Sequence, residues 1–362
     1  MRVALIHDWL TGLRGGEKVL EALCELFPDA TLFTMVHVPH STSDVIESHP
    51  IRTAFTQKLP GVRRIYRWYL PLYPWAVESL DLSGYDLIVS NSHCVAKGAI
   101  PPPGSLHICY CLTPMRYVWD RFHDYFGDGL KANLLYRPVA HYLRKWDVAS
   151  AARVHYFIAD SQHVAGRIRK YYLREADAVI HPPVDTELYV PADSEPEDTY
   201  LIVSALVPYK RLELAIDAFN RRTDRLLIVG TGPQEGRLKR RAGPNIEFLG
   251  SVSQQELLLL YQRCRATLLP GVEDFGISPV ESQACGRPVV AFAEGGALDT
   301  VRDGETGVLF SEPSPQALSD AIDRVSTLRF NRNALRSWAL GFSRQRFKTQ
   351  MREFIDRKLA GE

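Results

Sequence analysis

Short apolar runs alternate with amphipathic helical patterns along this chain, and this alternation limits the fold more than any other feature. Val3–His7 is the first run, and Tyr200–Ala205 opens a second series of the same kind. Continuous apolar runs of about 4–8 residues are typical of strands buried on both faces of a parallel sheet. Because strands that alternate with helices build βαβ units, the sequence predicts an α/β protein with two doubly wound, Rossmann-like sheets.

The length of the chain favours two domains, and one segment is a clear candidate for the boundary between them. Its 362 residues exceed what one ordinary core encloses. The segment 191–198, which reads PADSEPED, is polar and contains two prolines, as linkers often do. We therefore expect an N-terminal domain at 1–190 and a C-terminal domain at 195–340, with ligands in a cleft between the two domains.

Composition excludes some classes of partner. The 43 basic and 42 acidic residues nearly cancel, so the chain lacks the overall positive charge typical of nucleic-acid binding. No run of about 18 apolar residues occurs, so no membrane-spanning helix is expected. The six cysteines, at 24, 94, 109, 111, 264 and 285, have no usual zinc-ligand spacing. We interpret them as reduced core thiols, which suits a cytoplasmic protein without a metal.

Basic and aromatic residues are interleaved between positions 52 and 78. The segment holds Arg63, Arg64 and Arg67 close to Trp68 and Trp75. Such a mixture suits peripheral contact with a membrane, where rings lie at headgroup depth and cations face anionic lipid. A partly buried aromatic helix with a solvated basic face explains the same pattern, and both interpretations stay open.

Glycines follow the first predicted strand. The segment Thr11–Gly16 ends in Gly15 and Gly16 and leads into a helical pattern. A strand, a glycine turn and a helix begin a nucleotide-binding unit, in which glycine lets the backbone approach a phosphate or a sugar. Glycines that serve only a tight turn are the alternative. A dinucleotide oxidoreductase would need G-x-G-x-x-G, which is not present here.

The stretch Pro270–Gly286 carries two glutamates, Glu273 and Glu281, eight positions apart. Ser278 suits the N-cap of a helix that begins at Pro279, with Glu281 completing a capping box. Glu273 would then lie in the loop before a helix N-terminus, where backbone N–H groups favour an anion such as a diphosphate. Glu281 as a cap residue only, and Glu273 as a solvated loop charge, are the alternatives.

Two cations follow the first strand of the second series. Lys210 and Arg211 come after Tyr200–Ala205, at the predicted start of a helix. Cations at a helix N-terminus oppose its dipole, so they favour an anionic partner. A nucleoside diphosphate that leaves as a glycosidic bond breaks would be such a partner and would need no metal. A surface Lys–Arg pair without a ligand is the alternative.

These motifs resemble those of the retaining glycosyltransferases of family 4, which have the GT-B fold. The similarity lies in HDWLTGLRGGEKVLEAL at the start, HICYCLTPMRYVWD at 107–120, VPYKR at 207–211 and the E-x7-E stretch. Within the family these segments are similar to mannosyltransferases that build bacterial surface polysaccharides. The resemblance implies a GT-B fold in which the last helix, 344–362, returns to the N-terminal domain, the domain that holds the acceptor.

The resemblance also implies roles for individual residues. Glu273 would bind the hydroxyls of the donor sugar, and Glu281 would accept from the ribose of the nucleotide. Lys210 would hold the diphosphate against Gly15 and Gly16, with Arg211 beside it. The remaining contacts would come from backbone N–H groups in the segment Phe275, Gly276 and Ile277. The implied donor is GDP-mannose, the implied acceptor is a saccharide or polyprenyl-linked saccharide, and no cofactor or metal is implied.

Two positions depart from the family pattern. The family usually has Arg where this chain has Ala205, and His where it has Leu112. The Arg holds the diphosphate and the His lies near the transferred sugar, so Arg211 would have to compensate for the missing cation. A weakly active or inactive relative that binds nucleotide sugar within a complex is therefore the alternative to an active cytoplasmic or peripheral membrane enzyme.

Overall fold

The strands form two separate sheets in the computed structural model, which describes residues 1–127, 129–130, 132–193 and 195–361. Ser194, in the predicted linker, and Glu362, at the end of the predicted last helix, lie outside the described residues. The chain divides into two compact units, one formed by Met1–Pro183 with Phe347–Glu362 and the other by Val184–Arg346. The boundaries expected at 190 and 195 stay predictions, while the contacts group residues 184–190 with the second unit.

The first sheet has seven parallel strands in the order β3-β2-β1-β4-β5-β6-β7. They are β1 (Val3–His7), β2 (Thr31–Thr34), β3 (Ile51–Thr53), β4 (Leu87–Ser92), β5 (Leu106–Cys111), β6 (Tyr156–Ala159) and β7 (Ala178–Val179). Every residue of β1 and β4 is buried, as expected for central strands that helices cover on both faces. The strand order reverses between β1 and β4, so the loops after these two strands separate at a crevice where ligands commonly bind.

The second sheet has six parallel strands in the order β10-β9-β8-β11-β12-β13. They are β8 (Thr199–Val203), β9 (Arg225–Val229), β10 (Ile246–Gly250), β11 (Ala266–Leu269), β12 (Val289–Phe292) and β13 (Gly307–Phe310). Its order reverses between β8 and β11. Two doubly wound parallel sheets confirm the predicted α/β class.

Fifteen α-helices are present among the described residues. They are α1 (Gly15–Leu26), α2 (Asp44–Glu47), α3 (Val62–Ile65), α4 (Tyr73–Glu78), α5 (Phe122–Phe126), α6 (Arg137–Ala151), α7 (Gln162–Tyr172), α8 (Leu212–Phe219), α9 (Glu235–Arg241), α10 (Gln254–Arg263), α11 (Ile277–Ala284), α12 (Ala297–Thr300), α13 (Pro315–Thr327), α14 (Arg332–Leu340) and α15 (Arg344–Leu359). Within the described ranges, none is long and apolar enough to cross a membrane.

The last helix, α15, packs on the first unit. Phe347, Met351 and Phe354 are buried in the same core cluster as residues of β1 and α1. Lys348 pairs with Glu25 of α1 at 3.0 Å. The buried face of α15 thus repeats at helical spacing, while the polar face remains in solvent.

The cysteines are free and buried, as predicted. Burial raises the pKa of the Cys264 thiol to about 12, and it raises the pKa of Cys24 to about 12 as well. Both thiols therefore stay protonated at neutral pH and pack as small apolar groups.

Candidate functional site

Lys210 and Glu273 meet where the order of the second sheet reverses. Lys210 ends the loop after β8, and Glu273 lies in the loop after β11, the strand that pairs with β8. The Lys210 ammonium forms a direct ion pair with Oε1 of Glu273, and their side chains are only 12% and 17% exposed. Two residues 63 positions apart in sequence are therefore joined in one partly buried site, at the carboxyl ends of adjacent strands.

Glycines allow these loops to approach each other closely. A Cβ on Gly271 would lie 2.6 Å from Cα of Lys210, and a Cβ on Gly296 would collide with the backbone of Phe275. The N–H of Gly296 donates to the carbonyl of Glu273 at 2.9 Å. The loop that carries Glu273 is thus held between the Lys210 backbone and the Gly295–Gly296 turn.

Arg211 adds a second cation in an unusual backbone conformation. Its φ of 51° lies in the left-handed region, which side chains other than glycine seldom adopt. The guanidinium stacks on the ring of Phe292 at 4.9 Å. Its Nη1 is buried and has no hydrogen-bond partner among the described groups. A buried guanidinium nitrogen without a hydrogen-bond partner is a group that an anionic oxygen could satisfy.

The helix after Glu273 begins earlier than predicted, so the expected cap at Ser278 is wrong. Helix α11 starts at Ile277, and Gly276 precedes it with φ of 90°. Glycine tolerates this conformation, which turns the chain directly into the helix. Pro279 then occupies the third helical position, where its missing N–H breaks no intrahelical bond. The helix ends as predicted, since Gly286 follows it at φ of 74°.

Glu281 is buried, and it does not form the expected capping box. Its Oε2 accepts a hydrogen bond of 2.9 Å from the hydroxyl of Tyr261, a fully buried residue of α10. Burial first, and then the charge of Glu281, raise the pKa of Tyr261 well above its usual value. The hydroxyl therefore stays protonated and remains a hydrogen-bond donor to Glu281.

The residues between the two glutamates have different environments. Phe275 is buried against Phe342, with ring centroids 5.7 Å apart, so its side chain belongs to the core. Gly276 and Ile277 are partly exposed at the start of α11. The role predicted for Phe275, Gly276 and Ile277 is to bind the ligand through backbone N–H groups. It does not need the Phe275 side chain, and it stays a prediction. Ala205, the first departure from the family pattern, is exposed after β8.

Gly15 and Gly16 lie in the first turn of α1, in the first unit. A Cβ on Gly16 would lie 3.0 Å from Leu112 and 3.6 Å from the ring of His7. The Asn91 amide donates to the Gly16 carbonyl at 2.7 Å. Leu112, the second departure, therefore packs beside the glycine turn. A side chain at Gly16 would crowd Leu112, and the bond from Asn91 at the end of β4 holds the Gly16 backbone in place.

Asp8 organises the crevice of the first sheet. Its carboxylate is fully buried and accepts hydrogen bonds from the four backbone N–H groups of residues 93–96, at 2.6–3.0 Å. Nδ1 of His93 lies 2.9 Å from Oδ2. Burial would raise the pKa of Asp8, but the charge and hydrogen bonds of His93, with the charge of His7, outweigh it and lower the pKa to about 2. Asp8 is therefore ionised, and it fixes the His93 ring.

A second buried pair lies under the glycine turn. Nε2 of His7 lies 3.7 Å from Oε1 of Glu17, and both side chains are buried. Burial opposes the charge on His7, but the interactions with Glu17, together with the charge of Asp8, raise its pKa above the usual value. Although acids and histidines gather here, the described residues contain no group of them placed to hold a metal.

The sequence motifs did not point to Asp8 or Tyr261. The one sequence signal for Asp8 is its position directly after a run that predicts a buried strand. No sequence signal marked Tyr261, because a tyrosine at helical spacing is usually a core residue. Lys210 and Glu273 do lie together. The side chain of Arg211 stacks on Phe292, and Glu281 is buried on α11.

Residues 189–339 match the family model of the glycosyl transferases group 1. The D-inositol 3-phosphate glycosyltransferases of Mycobacterium bovis and Mycobacterium tuberculosis are 31% identical to this chain, over 41% of its length. The alignment spans 36% of those curated relatives, about a third of their length. The match to the family model lies within the unit that holds Lys210 and Glu273.

Solved structures resemble the chain over its whole length. HepE from Anabaena in complex with UDP has a TM-score of 0.70 at 18% identity, covering 99% of this chain and 100% of its own. Sucrose-phosphate synthase from Thermosynechococcus elongatus has a TM-score of 0.74 at 17% identity, covering 100% of both chains. At such low identity these likenesses describe the fold alone. The chain has the GT-B glycosyltransferase fold, with two parallel-sheet, Rossmann-like domains.

Proposed function

We propose that this chain is a retaining glycosyltransferase that transfers a hexose from a nucleotide sugar to a saccharide. The observation that carries the proposal is the ion pair of Lys210 with Glu273 at the crevice of the second sheet. A cation and a carboxylate side by side suit a ligand that joins a diphosphate to a polyhydroxylated ring. The match of residues 189–339 to the glycosyl transferases group 1 supports the same reading.

Each group in the site has a proposed task. Lys210 and Arg211 would neutralise the diphosphate, and the unpaired Nη1 of Arg211 supports that assignment. Glu273 would accept from hydroxyls of the donor sugar. The N-terminus of α11, eight residues long, would direct backbone N–H groups of Phe275–Ile277 toward the ligand. Glu281, oriented by Tyr261, would accept from the ribose hydroxyls.

The proposed reaction is a front-side displacement at the anomeric carbon. The bond from that carbon to the diphosphate oxygen breaks as the acceptor hydroxyl oxygen forms the new glycosidic bond on the same face. The departing diphosphate takes the proton of the acceptor hydroxyl. Lys210 and Arg211 stabilise the negative charge that grows on the leaving oxygen, which is the largest electrostatic change in the reaction. This scheme requires no metal and no carboxylate nucleophile.

We assign the acceptor to the first unit. His93 is 28% exposed in its side chain and is held by the buried carboxylate of Asp8 through Nδ1. Its Nε2 is then directed away from Asp8 and can bond a sugar hydroxyl, while Trp9 packs edge-on against the ring at 4.7 Å. A polar group on a rigid support beside an aromatic side chain suits a saccharide.

Mannose from GDP-mannose is the first donor to test, because the motifs resemble mannosyltransferases of surface polysaccharide synthesis. The Anabaena structure with UDP-glucose makes UDP-glucose the second. The proposed acceptor is a saccharide or a polyprenyl-linked saccharide, which places the chain in the cytoplasm or on the inner face of the membrane. Release of GDP or UDP with formation of a radiolabelled saccharide would identify the donor.

The decisive experiment compares Lys210→Met and Glu273→Gln with the wild-type chain in that assay. Each variant should lower kcat by about 100–1,000-fold, the usual effect of removing one group that stabilises developing charge. Lys239→Met is the matched control, because Lys239 forms an exposed ion pair with Glu235 in the same unit at 2.7 Å. Transfer that persists unchanged in Lys210→Met and Glu273→Gln would reject the proposed site.

An inactive relative that binds nucleotide sugar is the second candidate function, and Ala205 favours it. The position is exposed beside the loop that carries Lys210, and it supplies no cation. If the site binds without turnover, Ala205→Arg should tighten nucleoside diphosphate binding and start donor hydrolysis or transfer. Transfer by the wild-type chain would exclude this candidate.

A further inference from the structure

Large apolar side chains are exposed unevenly over the two units. In the second unit the described examples are leucines well separated in sequence, at 259, 298, 328 and 340. In the first unit the exposed set includes two tryptophans and a group of leucines. Trp68 is 71% exposed and Trp75 is 65% exposed. Tryptophan at this exposure is uncommon on a surface that meets only water, so a partner for these rings is expected.

The tryptophans lie in a segment, residues 58–75, whose exposed charges all have one sign. Lys58, Arg63, Arg64 and Arg67 are exposed, and the segment contains no aspartate or glutamate. Among the described residues, none of these four cations forms a salt bridge. Their charge is therefore available to an external partner, and that partner must be anionic.

This segment is firmly attached to the first unit. Gly61 adopts φ of 64° and turns the chain into α3. The hydroxyl of buried Tyr73 donates to the carbonyl of Tyr66 at 2.7 Å, and the ring of Tyr66 packs against Trp9 at 5.3 Å. Trp68 is thus held outward by neighbours that are themselves anchored in the core, so its exposure does not arise from a loose loop.

A second segment, made of residue 130 and residues 134–145, has the same chemistry. Leu130, Leu134 and Leu135 are 74%, 71% and 58% exposed. Arg137 and Lys145 are exposed after them, and no aspartate or glutamate lies between 129 and 146. The two segments pack on one core cluster, since Val62 and Tyr73 of the first and Ala140 and Leu143 of the second belong to it.

We propose that the segment 58–75 and the segment made of residues 130 and 134–145 bind an anionic lipid bilayer. The indole rings and leucines would lie at the level of the headgroups and upper acyl chains, and the arginines and lysines would face lipid phosphates. Nucleic acid fits less well, because apolar leucines contribute nothing to a phosphate backbone and the chain has almost no net charge. This inference concerns a surface distinct from the sugar-transfer site, and it stands whether or not that site is active.

Vesicle sedimentation of the full chain tests the proposal. Binding should be strong to vesicles of phosphatidylcholine mixed with phosphatidylglycerol, weak to pure phosphatidylcholine, and reduced by salt. Changing Arg63, Arg64 and Arg67 together to Gln should weaken binding by about 100-fold, since each cation near an anionic surface contributes roughly a fivefold change. Changing Arg237, Lys239 and Arg240 to Gln is the matched control, because these exposed cations lie on α9 of the second unit.

The apolar contribution is tested separately. Trp68→Ser with Trp75→Ser, and in another variant Leu130→Ser with Leu134→Ser, should each weaken binding, whereas Leu259→Ser with Leu298→Ser should not. Tryptophan emission should shift to shorter wavelength with the mixed vesicles and should lose that shift in the Trp68 variant. Equal binding to both kinds of vesicle, or full binding by the triple arginine variant, would overturn the proposal. Sugar transfer to a soluble acceptor should be unaffected in all these variants, which separates this test from that of the transfer site.

Discussion

Tyr261 donates a hydrogen bond of 2.9 Å to Glu281, and both residues are buried between α10 and α11. The bond fixes the carboxylate that is proposed to accept from the ribose of the donor. Tyr261 touches no proposed substrate group, so we class it as a positioning residue. Its hydroxyl is retained as a donor at any physiological pH, because burial raises its pKa.

Tyr261→Phe should therefore weaken nucleoside diphosphate binding more than it slows transfer. Loss of one hydrogen bond to a charged group is typically worth about 1.5–3 kcal/mol, so Kd should rise by about 10–100-fold at nearly constant kcat. The rise in Kd caused by Tyr261→Phe should be smaller for a 2′,3′-dideoxynucleoside diphosphate, because this ligand lacks the hydroxyls that Glu281 would bind. Calorimetric titration of both ligands measures this difference.

Tyr200→Phe is the control for Tyr261→Phe. Tyr200 is also buried in the second unit, and its hydroxyl lies 3.0 Å from Oγ of Ser326. The two variants should lower the free energy of unfolding by similar amounts, but only Tyr261→Phe should change nucleotide affinity. An equal loss of affinity in both variants would indicate a structural role alone.

Asp8 should make the first unit less stable as the pH falls into the acid range. Its pKa falls from 3.8 to about 2 in the folded chain. Because the pKa is lowered on folding, the ionised carboxylate contributes its full share to the free energy of unfolding above the unfolded-state pKa of 3.8. That contribution is lost as the pH falls from 3.8 through about 2. The shift corresponds to about 2 kcal/mol, at close to 1.4 kcal/mol for each pKa unit. Urea unfolding measures the free energy of unfolding of the wild type and of Asp8→Asn. The difference between the two proteins should be smaller at pH 3 than at pH 7.

Asp303→Asn provides the comparison for Asp8→Asn. Asp303 pairs with Arg324 at 2.9 Å, but both side chains are more than 40% exposed. Exposed ion pairs are usually worth about 0–1 kcal/mol, so this variant should unfold almost like wild type at both pH values. If the two variants behave alike, Asp8 does not organise the crevice of the first sheet.

The bounds of the strands show which parts of the fold the sequence patterns predict. Val3–His7 begins and ends where its apolar run predicts, and all five of its residues are buried, as is typical of a central parallel strand. The last strand of the first sheet is short, since only Ala178–Val179 pairs there. Consecutive prolines at 182 and 183 supply no N–H to a ladder, which explains where that pairing stops.

The site illustrates what sequence patterns do not determine. Pairing of Lys210 with Glu273 depends on the order of β8 and β11 in the sheet, which no local pattern specifies. The N-cap prediction at Ser278 failed because Gly276 can turn into the helix at positive φ, an option that competes with side-chain capping. The tertiary hydrogen bond from Tyr261 to Glu281 links residues 20 positions apart, and only the packing of two helices creates it.

Arg211→Gly should separate stability from ligand binding. Glycine adopts the left-handed backbone at φ of 51° without strain, which stabilises the fold. Loss of the stack on Phe292 destabilises it by about 0.5–1 kcal/mol. Because the two effects oppose each other, the free energy of unfolding should hardly change. Nucleoside diphosphate binding should weaken by about 10–100-fold, because a charged donor is removed. Thermal unfolding with and without the nucleotide measures both effects.

Leu173→Gly is the control for that backbone effect. Leu173 has φ of 54°, ends α7 and is 83% exposed. Since little packing is lost there, glycine should stabilise the chain by roughly 0.5–1 kcal/mol and leave nucleotide binding unchanged. Unaltered nucleotide binding in Arg211→Gly would remove Arg211 from the proposed site.

Gly271→Ala should damage the site without changing any of its side chains. The new methyl group would lie 2.6 Å from Cα of Lys210, so the two loops must move apart. Overpacking of this kind typically costs about 1–3 kcal/mol of stability. A displacement of Lys210 by about 1 Å can lower the rate of transfer by about 100-fold, because the charge is then misplaced relative to the leaving oxygen.

The matched control for Gly271→Ala is Gly236→Ala. Gly236 lies in the first turn of α9, and a Cβ there would meet only Nη1 of Arg240, at 3.7 Å. Alanine should stabilise this helix by about 0.4–1 kcal/mol and leave transfer intact. Measured together, kcat and the free energy of unfolding then distinguish the two sites. The substitution at Gly271 acts directly on the backbone of Lys210. If Gly271→Ala were less stable than wild type but kept full kcat, the position of Lys210 would not matter for transfer.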